Sequence, residues 1–290
     1  MSFYSIAIAF PGSIVEVEPG PLRKTLKLGL IARSAAIFGV DELIVYADRY
    51  TRKDSLELVA DVLGYAVVPP YLKKMVYGKK DTLSSVGALY PLQIPTHTVT
   101  SELEEGECRE ALVFRKKNKF YAYVGLEKPI ELMHEPNIDK KVREGLHLVK
   151  IVRTRERVLG EIVKDPSICN NIYRGYRVKV YPDIVSLISD YEKNYVILAT
   201  SRKGVYVRDI IEELKEAVNR KKKLLLLFGG PFEGLYEIAS YHNLNLDNKA
   251  DYVVNVVYHQ FTKTIRTEEA ILITLAILDY ALSITSVKAG

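Results

Sequence analysis

The spacing of apolar and polar positions changes character twice along the chain. In the first third, Ser5 to Phe10 is a short apolar run stopped by Pro11-Gly12, the pattern of a buried strand. Leu22 to Phe38 carries its apolar residues at helical spacing, with proline at the entry and Gly39 at the exit. Leu43 to Tyr46 is a second compact strand followed by Asp48, and Ser55 to Leu63 is a second helix that Gly64 is expected to close. Strand, helix, strand, helix predicts a parallel sheet covered on both faces.

From Leu89 to Lys164 the helical period fades. Cys108–Phe114 and Phe120–Val124 read as strands, with Lys116 to Lys119 as a hairpin tip, and Leu148–Arg153 and Val158–Val163 repeat the pattern. Short strands at this spacing predict a small β-barrel. The last third returns to α/β. Tyr195–Thr200, Leu224–Phe228 and Tyr252–Val257 read as strands, and Val207–Val218 and Thr267–Leu282 as helices. Both helices carry acids in their early turns, which suits the helix dipole. The expected organisation is one α/β domain split in sequence, residues 1–88 and 166–290, with a β-barrel, 89–165, inserted into it.

Composition narrows the classes. No apolar run reaches the ~18–20 residues of a membrane span, and Met1 to Phe10 lacks a signal peptide's basic start and cleavage site. A cytoplasmic protein without a membrane partner is expected. Cys108 and Cys169 lack CxxC spacing and are expected to be reduced thiols. No HExxH or clustered His/Cys set appears, so no metal is expected. The net charge of +5 permits a polyanionic partner without demanding one.

Two segments carry the candidate chemistry. Leu224 to Leu235 is a strand, a glycine turn (Gly229-Gly230) and a helix start, placed where parallel sheets bind ligands. It is neither GxGxxG nor a phosphate loop, which disfavours dinucleotides and nucleoside triphosphates; by itself it is as readily a structural turn. Asn255 to Ala270 is a polar loop leading to a helix N-terminus, and its spacing alone is that of a capped connection.

Taken together, Leu227-Phe228-Gly229-Gly230 and Gln260-x-x-x-Thr264-Ile265-Arg266-Thr267-Glu268-Glu269-Ala270 resemble the C-terminal half of the SPOUT methyltransferases, in the archaeal and eukaryotic branch with an inserted OB-like domain. Ile31–Phe38 with Asp41-Glu42-Leu43, Pro70-Tyr71-Leu72, Gly87–Leu92, Pro95-Thr96-His97 and Ala199–Gly204 extend the resemblance over nearly the whole chain. It implies a C-terminal trefoil knot, a homodimer with each site near the subunit interface, and S-adenosylmethionine held in the knot loops. Carried over residue by residue, the cofactor contacts fall on Phe228, Gly229, Gly230, Gly234, Asn255, Val257, Tyr258, Ile265 and Thr267. Two positions depart from the family: Tyr258 stands where proline is usual and Phe261 where glycine is usual. They motivate an alternative, a SPOUT-fold RNA- or ribosome-binding protein that has lost catalysis.

The implied activity is methylation of RNA, most plausibly ribosomal RNA. Methyl transfer depends chiefly on alignment. At a ring nitrogen such as uridine N3 a proton must also leave, and a cation would stabilise the anion that forms. Arg33 and Arg266 are the candidates; a salt bridge or phosphate contact is the alternative role of each, and for Arg33 it weighs nearly as much. His97 and His259 are weaker candidates as bases. For RNA binding, Lys116, Lys117, Lys119 and Tyr121 at the hairpin, with Arg153 and Arg155, supply phosphate contacts and stacking surface; the tyrosines are as readily barrel core. A third possibility is a small-molecule α/β enzyme whose barrel serves only to dimerise.

Overall fold

The computed structural model describes residues 4–97, 102–117, 119–133, 144–154, 157–169 and 173–283. In chain order the regular elements are β1 (Ser5–Pro11), α1 (Gly20–Ile37), β2 (Glu42–Tyr46), α2 (Lys53–Val67), α3 (Pro70–Tyr77), β3 (Cys108–Lys116), β4 (Lys119–Tyr123), β5 (Ile130–Leu132), β6 (Gly145–Arg153), β7 (Leu159–Ile162), β8 (Arg177–Tyr181), α4 (Ile184–Tyr191), β9 (Val196–Tyr206), α5 (Ile211–Lys221), β10 (Lys223–Leu227), α6 (Leu235–Tyr241), α7 (Leu246–Lys249), β11 (Tyr252–Asn255) and α8 (Thr267–Ser283). They form two compact units. One comprises 1–67, 81–92 and 175–290, the other 68–80 and 93–174.

The first unit is an α/β domain with a six-stranded sheet in the order β11-β9-β10-β1-β2-β8. Every adjacent pair is parallel. Parallel strands need covered faces, and the burial shows it: from Ile6 onward all of β1 is buried, as is all of β2. Alternation sends Ala7, Ala9, Ile44, Tyr46, Ile197, Ala199, Leu225 and Leu227 to one face, against Ile184, Leu187 and Ile188 of α4 and Leu235 and Ile238 of α6. On the opposite face the helices pack in the order α2, α1, α8, α5.

The sequence pattern located most of these elements. It closed α2 too early. Gly64 sits inside that helix, because Val59, Val62, Leu63 and Ala66 continue one buried stripe past it; burying that stripe outweighs the ~1 kcal/mol a mid-helix glycine costs. The helix expected at Val207 begins as a 3-10 turn and becomes α-helical only at Ile211. Between 166 and 194, where no element was expected, β8 and α4 complete the sheet edge and its cover.

The second unit is a closed barrel, β3-β4-β5-β7-β6. Lys116 pairs with Lys119 across the expected hairpin. The interior is Ala111, Val113, Ala122, Val124, Ile130, Leu132, Val149 and Ile151. Tyr121 and Tyr123 alternate to the outside, where both stack on Phe114 with centroids 5.9 and 5.1 Å apart. Arg109 is buried and satisfied: it reaches Glu107 at 2.7 Å and the carbonyls of Val124 and Glu102 at 3.2 and 3.1 Å. One sequence expectation is overturned here. Cys108 and Cys169, expected as free thiols, form a disulfide across 61 residues of sequence. The fold brings β3 and the turn after β7 together, which the spacing of two isolated cysteines does not reveal.

At the foot of the sheet Glu42 is buried and accepts from Lys179 at 2.9 Å, Arg177 at 2.8 Å and the Tyr191 hydroxyl. Burial pushes its pKa up, but these three donors together outweigh burial and hold it below the usual carboxylate value. A depressed folded-state pKa adds stability above the unfolded-chain value, and that stability is lost as pH falls through the folded value. Glu42→Gln is expected to cost ~2–3 kcal/mol at neutral pH, read from urea unfolding. Its penalty should shrink on acidification below pH 4.5.

Candidate active site

The carboxyl ends of β9, β10 and β11 open into a cavity of about 750 Å³. That volume is toward the upper part of the ~300–1,000 Å³ usual for small-molecule sites. Three segments build it: the turn after β10, an excursion of β9, and the loop between β11 and α8.

The turn after β10 depends on glycine. A Cβ on Gly229 would lie 2.9 Å from Gly234 Cα and from Leu235 N, so the two halves of the turn touch through backbone alone. The Gly230 amide donates to the Glu233 carbonyl at 2.8 Å, closing the turn at the start of α6. Beneath it the buried Tyr46 hydroxyl donates to the Phe228 carbonyl at 2.7 Å. Burial, with Asp48 nearby, pushes the Tyr46 pKa well up, so the phenol stays protonated as a donor.

The excursion of β9 lies opposite. Val253 pairs with Ala199, yet the next residue, Val254, pairs with Val205, so 200–204 bulge out of register, and 200–203 line the cavity. Gly204 ends the bulge, and a Cβ there would stand 2.6 Å from Val253 O and Val254 N. Thr200 Oγ1 donates to Leu227 O at 2.9 Å, which fixes the bulge to β10.

The third segment closes the site. The Thr267 hydroxyl donates to the Gly229 carbonyl at 2.9 Å, joining the first turn of α8 to the glycine turn. Asn255 Oδ1 accepts from the Val257 amide at 3.0 Å and shapes the exit from β11. On the wall, the buried Lys27 ammonium donates to Ile14 O at 3.1 Å and ion-pairs Glu18 at 3.0 Å and Glu268 at 3.5 Å. Arg266 Nη1 lies 3.9 Å from the same Glu18 carboxylate. Glu237 is held below the usual carboxylate range by backbone amides at the start of α6 and by Lys203, against a smaller effect of burial. The Thr274 hydroxyl, buried on the lining, has no protein partner.

The sequence-derived residues separate clearly. Phe228, Gly229, Gly230, Gly234, Asn255, Val257, Ile265, Arg266 and Thr267 all line this one cavity. Tyr258 does not: its ring packs on Tyr206 with centroids 4.7 Å apart, and the Arg208 guanidinium sits 3.9 Å from its centroid. Phe261 is 98% exposed. Neither side chain fills the cavity. Arg33 is elsewhere, donating to the carbonyls of Pro91 at 3.2 Å and Leu92 at 2.6 Å. His259 stacks edge-on against Tyr258 at the surface, and His97 belongs to the barrel unit. In that unit Lys116, Lys117 and Arg153 are exposed, Lys119 pairs with Glu131 at 2.8 Å, and Arg155 lies outside the described residues. Sequence reading missed Glu18, Lys27 and Thr274. The first two sit in and near a helix start that carried no motif, and the third looks like one more position of an apolar helix.

A glycine-built cavity at the carboxyl end of a parallel sheet, in a chain that also forms a closed barrel, defines an α/β ligand-binding protein. A family model described as "Putative RNA methyltransferase" matches residues 5–278, and the chain belongs to that family. A 28S rRNA (uridine-N(3))-methyltransferase of Mus musculus is 30% identical over 97% of this chain and 77% of its own. That of Drosophila melanogaster is 31% identical over 94% of this chain and 61% of its own. An uncharacterized protein of Haloarcula marismortui is 28% identical over 94% of this chain and 98% of its own. No group of His, Cys, Asp and Glu among the described residues is arranged to hold a metal, and no described helix is long and apolar enough to cross a membrane.

The close approach at Gly204 gives a direct check. Gly204→Ala must push β9 and β11 apart at the cavity wall, at a cost of about 2 kcal/mol or more. Urea unfolding should show that loss.

Proposed function

We propose that this protein transfers a methyl group from S-adenosylmethionine to N3 of a uridine in ribosomal RNA. The observation that carries the reading is the convergence of the glycine turn, the end of β11 and the start of α8 on one cavity, in a chain of an RNA methyltransferase family. The uridine-N3 assignment is supported by the names of the mouse and fly relatives.

The residues fit the cofactor. A Cβ at Gly230 would meet Pro11 Cγ and Ser13 Oγ at 3.0 Å, so glycine lets the turn pack closely on the end of β1 and set this wall of the cavity. The buried Thr274 hydroxyl on the lining, without a hydrogen-bond partner among the described residues, offers a polar contact. Phe228, Gly229, Gly230, Gly234, Asn255, Val257, Ile265 and Thr267 would hold it. When bound, S-adenosylmethionine supplies a methyl group already activated by its sulfonium. The remaining work is positioning and one proton. Glu18, facing the cavity between Lys27 and Arg266, is placed to take the N3 proton. Lys27 stays neutralised by Glu268 when Glu18 becomes protonated. Arg266, at the same wall, would stabilise negative charge growing on the uracil carbonyls.

Two finer features follow the same reading. A trefoil knot is supported by the path of the last segment: from the edge strand β11 it passes the glycine turn, bonds to it through Thr267, and continues as α8 onto α1 and α5. A homodimer is supported by α1, where Leu22, Leu26 and Leu30, four residues apart, are all exposed. Arg33 continues that stripe, so its contribution to catalysis would come at a subunit boundary. The barrel would bind RNA through Lys116, Lys117, Arg153 and the outward ladder of Phe114, Tyr121 and Tyr123. We place the protein with its RNA in the cytoplasm.

The test is incubation with labelled S-adenosylmethionine and ribosomal RNA, then nuclease digestion and mass spectrometry. The expected product is N3-methyluridine; no transfer to any ribosomal RNA overturns the reading. Arg266→Ala should lower kcat by on the order of 10²–10³. Its affinity for S-adenosylhomocysteine, measured by calorimetry, should stay within a few-fold of the wild type.

A further inference from the structure

The cavity is ringed by positive charge that the protein does not neutralise. Arg23 at the start of α1, Arg202 on the bulge of β9 and Lys263 before α8 all line it and are all exposed. Among the described residues no carboxylate pairs with any of them. The other three cations on the lining, Lys27, Lys203 and Arg266, each lie beside a carboxylate. Arg23, Arg202 and Lys263 come from three separate chain segments and meet at this opening.

Two of them are tied together. Arg202 Nη1 donates to the Lys263 carbonyl at 3.2 Å, which joins the bulge to the closing loop and leaves the other guanidinium N–H groups unused. Asn255 Nδ2 donates to the Arg202 carbonyl at 3.4 Å and holds the bulge from the other side. A fork of donors fixed in this way suits an oxyanion, phosphate above all. The cofactor's sulfonium is itself a cation, so un-neutralised positive charge at the opening does not serve the sulfonium. It serves a polyanion laid across the mouth.

We propose that Arg23, Arg202 and Lys263 form a phosphate clamp on the α/β unit, which grips a single-stranded stretch of RNA around the nucleotide entering the cavity. This rests on the reading of the cavity as a methyl-transfer site. It adds an RNA contact separate from the barrel surface and makes an unpaired strand the form of substrate. A duplex would have to release the target base before the clamp could close over its flanking phosphates.

The test compares wild type with the triple variant Arg23→Gln/Arg202→Gln/Lys263→Gln, binding a fluorescent oligouridylate at 50 to 200 mM salt. Each phosphate contact to a single strand contributes about 0.7 to the slope of log affinity against log salt. The wild-type slope should therefore be steeper by about 2, and the wild type should lose roughly twentyfold more affinity over that range. Calorimetry with S-adenosylhomocysteine should give equal affinity for both proteins, and circular dichroism equal folding. Equal slopes overturn the clamp. So does selective loss of cofactor affinity in the variant, which would assign these cations to the carboxylate of the cofactor's methionine moiety. So does binding of duplex RNA as tightly as the single strand. A wild type that transfers no methyl group to ribosomal RNA, yet shows the slope that the variant lacks, would remove the catalytic reading and leave the clamp standing.

Discussion

The hydroxyl of Thr267 donates to the carbonyl of Gly229, and the site is assembled around that contact. It joins two pieces of chain 38 residues apart, the tightest turn of the sheet and the first turn of the last helix. The bond forms only if the turn brings the Gly229 carbonyl within reach, which needs the backbone contact between Gly229 and Gly234. It also needs the loop after β11 to return across the sheet ends. Neither piece encloses anything alone; together with the bulge of β9 they make a wall, a floor and a rim.

The same economy governs the electrostatics. Carboxylates and cations inside the site are arranged in pairs or triads, as with Lys27 between Glu18 and Glu268. A buried ammonium without such neighbours would carry a heavy desolvation cost. At the rim Arg23, Arg202 and Lys263 have no carboxylate partner among the described residues and stand where the solvent hydrates them.

Much of this was legible in the sequence. Short β-branched and leucine-rich runs such as Leu43–Tyr46 and Leu224–Leu227 form the sheet because they are buried on both faces, and the apolar spacing of Leu22–Phe38 marks α1. The cavity-lining set was legible only through the resemblance in Leu227–Gly230 and Gln260–Ala270; their spacing alone read as a turn and a capped loop. Tyr258 shows the limit of carrying positions over one by one. It was carried over with the motif, but its ring lies off the cavity, packed on Tyr206 and under the Arg208 guanidinium. Lys27 and Thr274 were invisible because their roles depend on what packs against α1 and α8, not on their own neighbours in sequence. Arg202 is the same case, since only the slip in register between Val253 and Val254 throws its segment out toward the cavity.

The bond between Cys108 and Cys169 encloses nearly the whole barrel in one covalent ring, because β3 begins at the first cysteine and β4 to β7 all lie before the second. A single backbone cut anywhere inside that ring would not release a fragment; the chain would keep its full mass until a reductant opened the link. Nicks in the loops between barrel strands would thus go unseen on a non-reducing gel and appear at once on a reducing one.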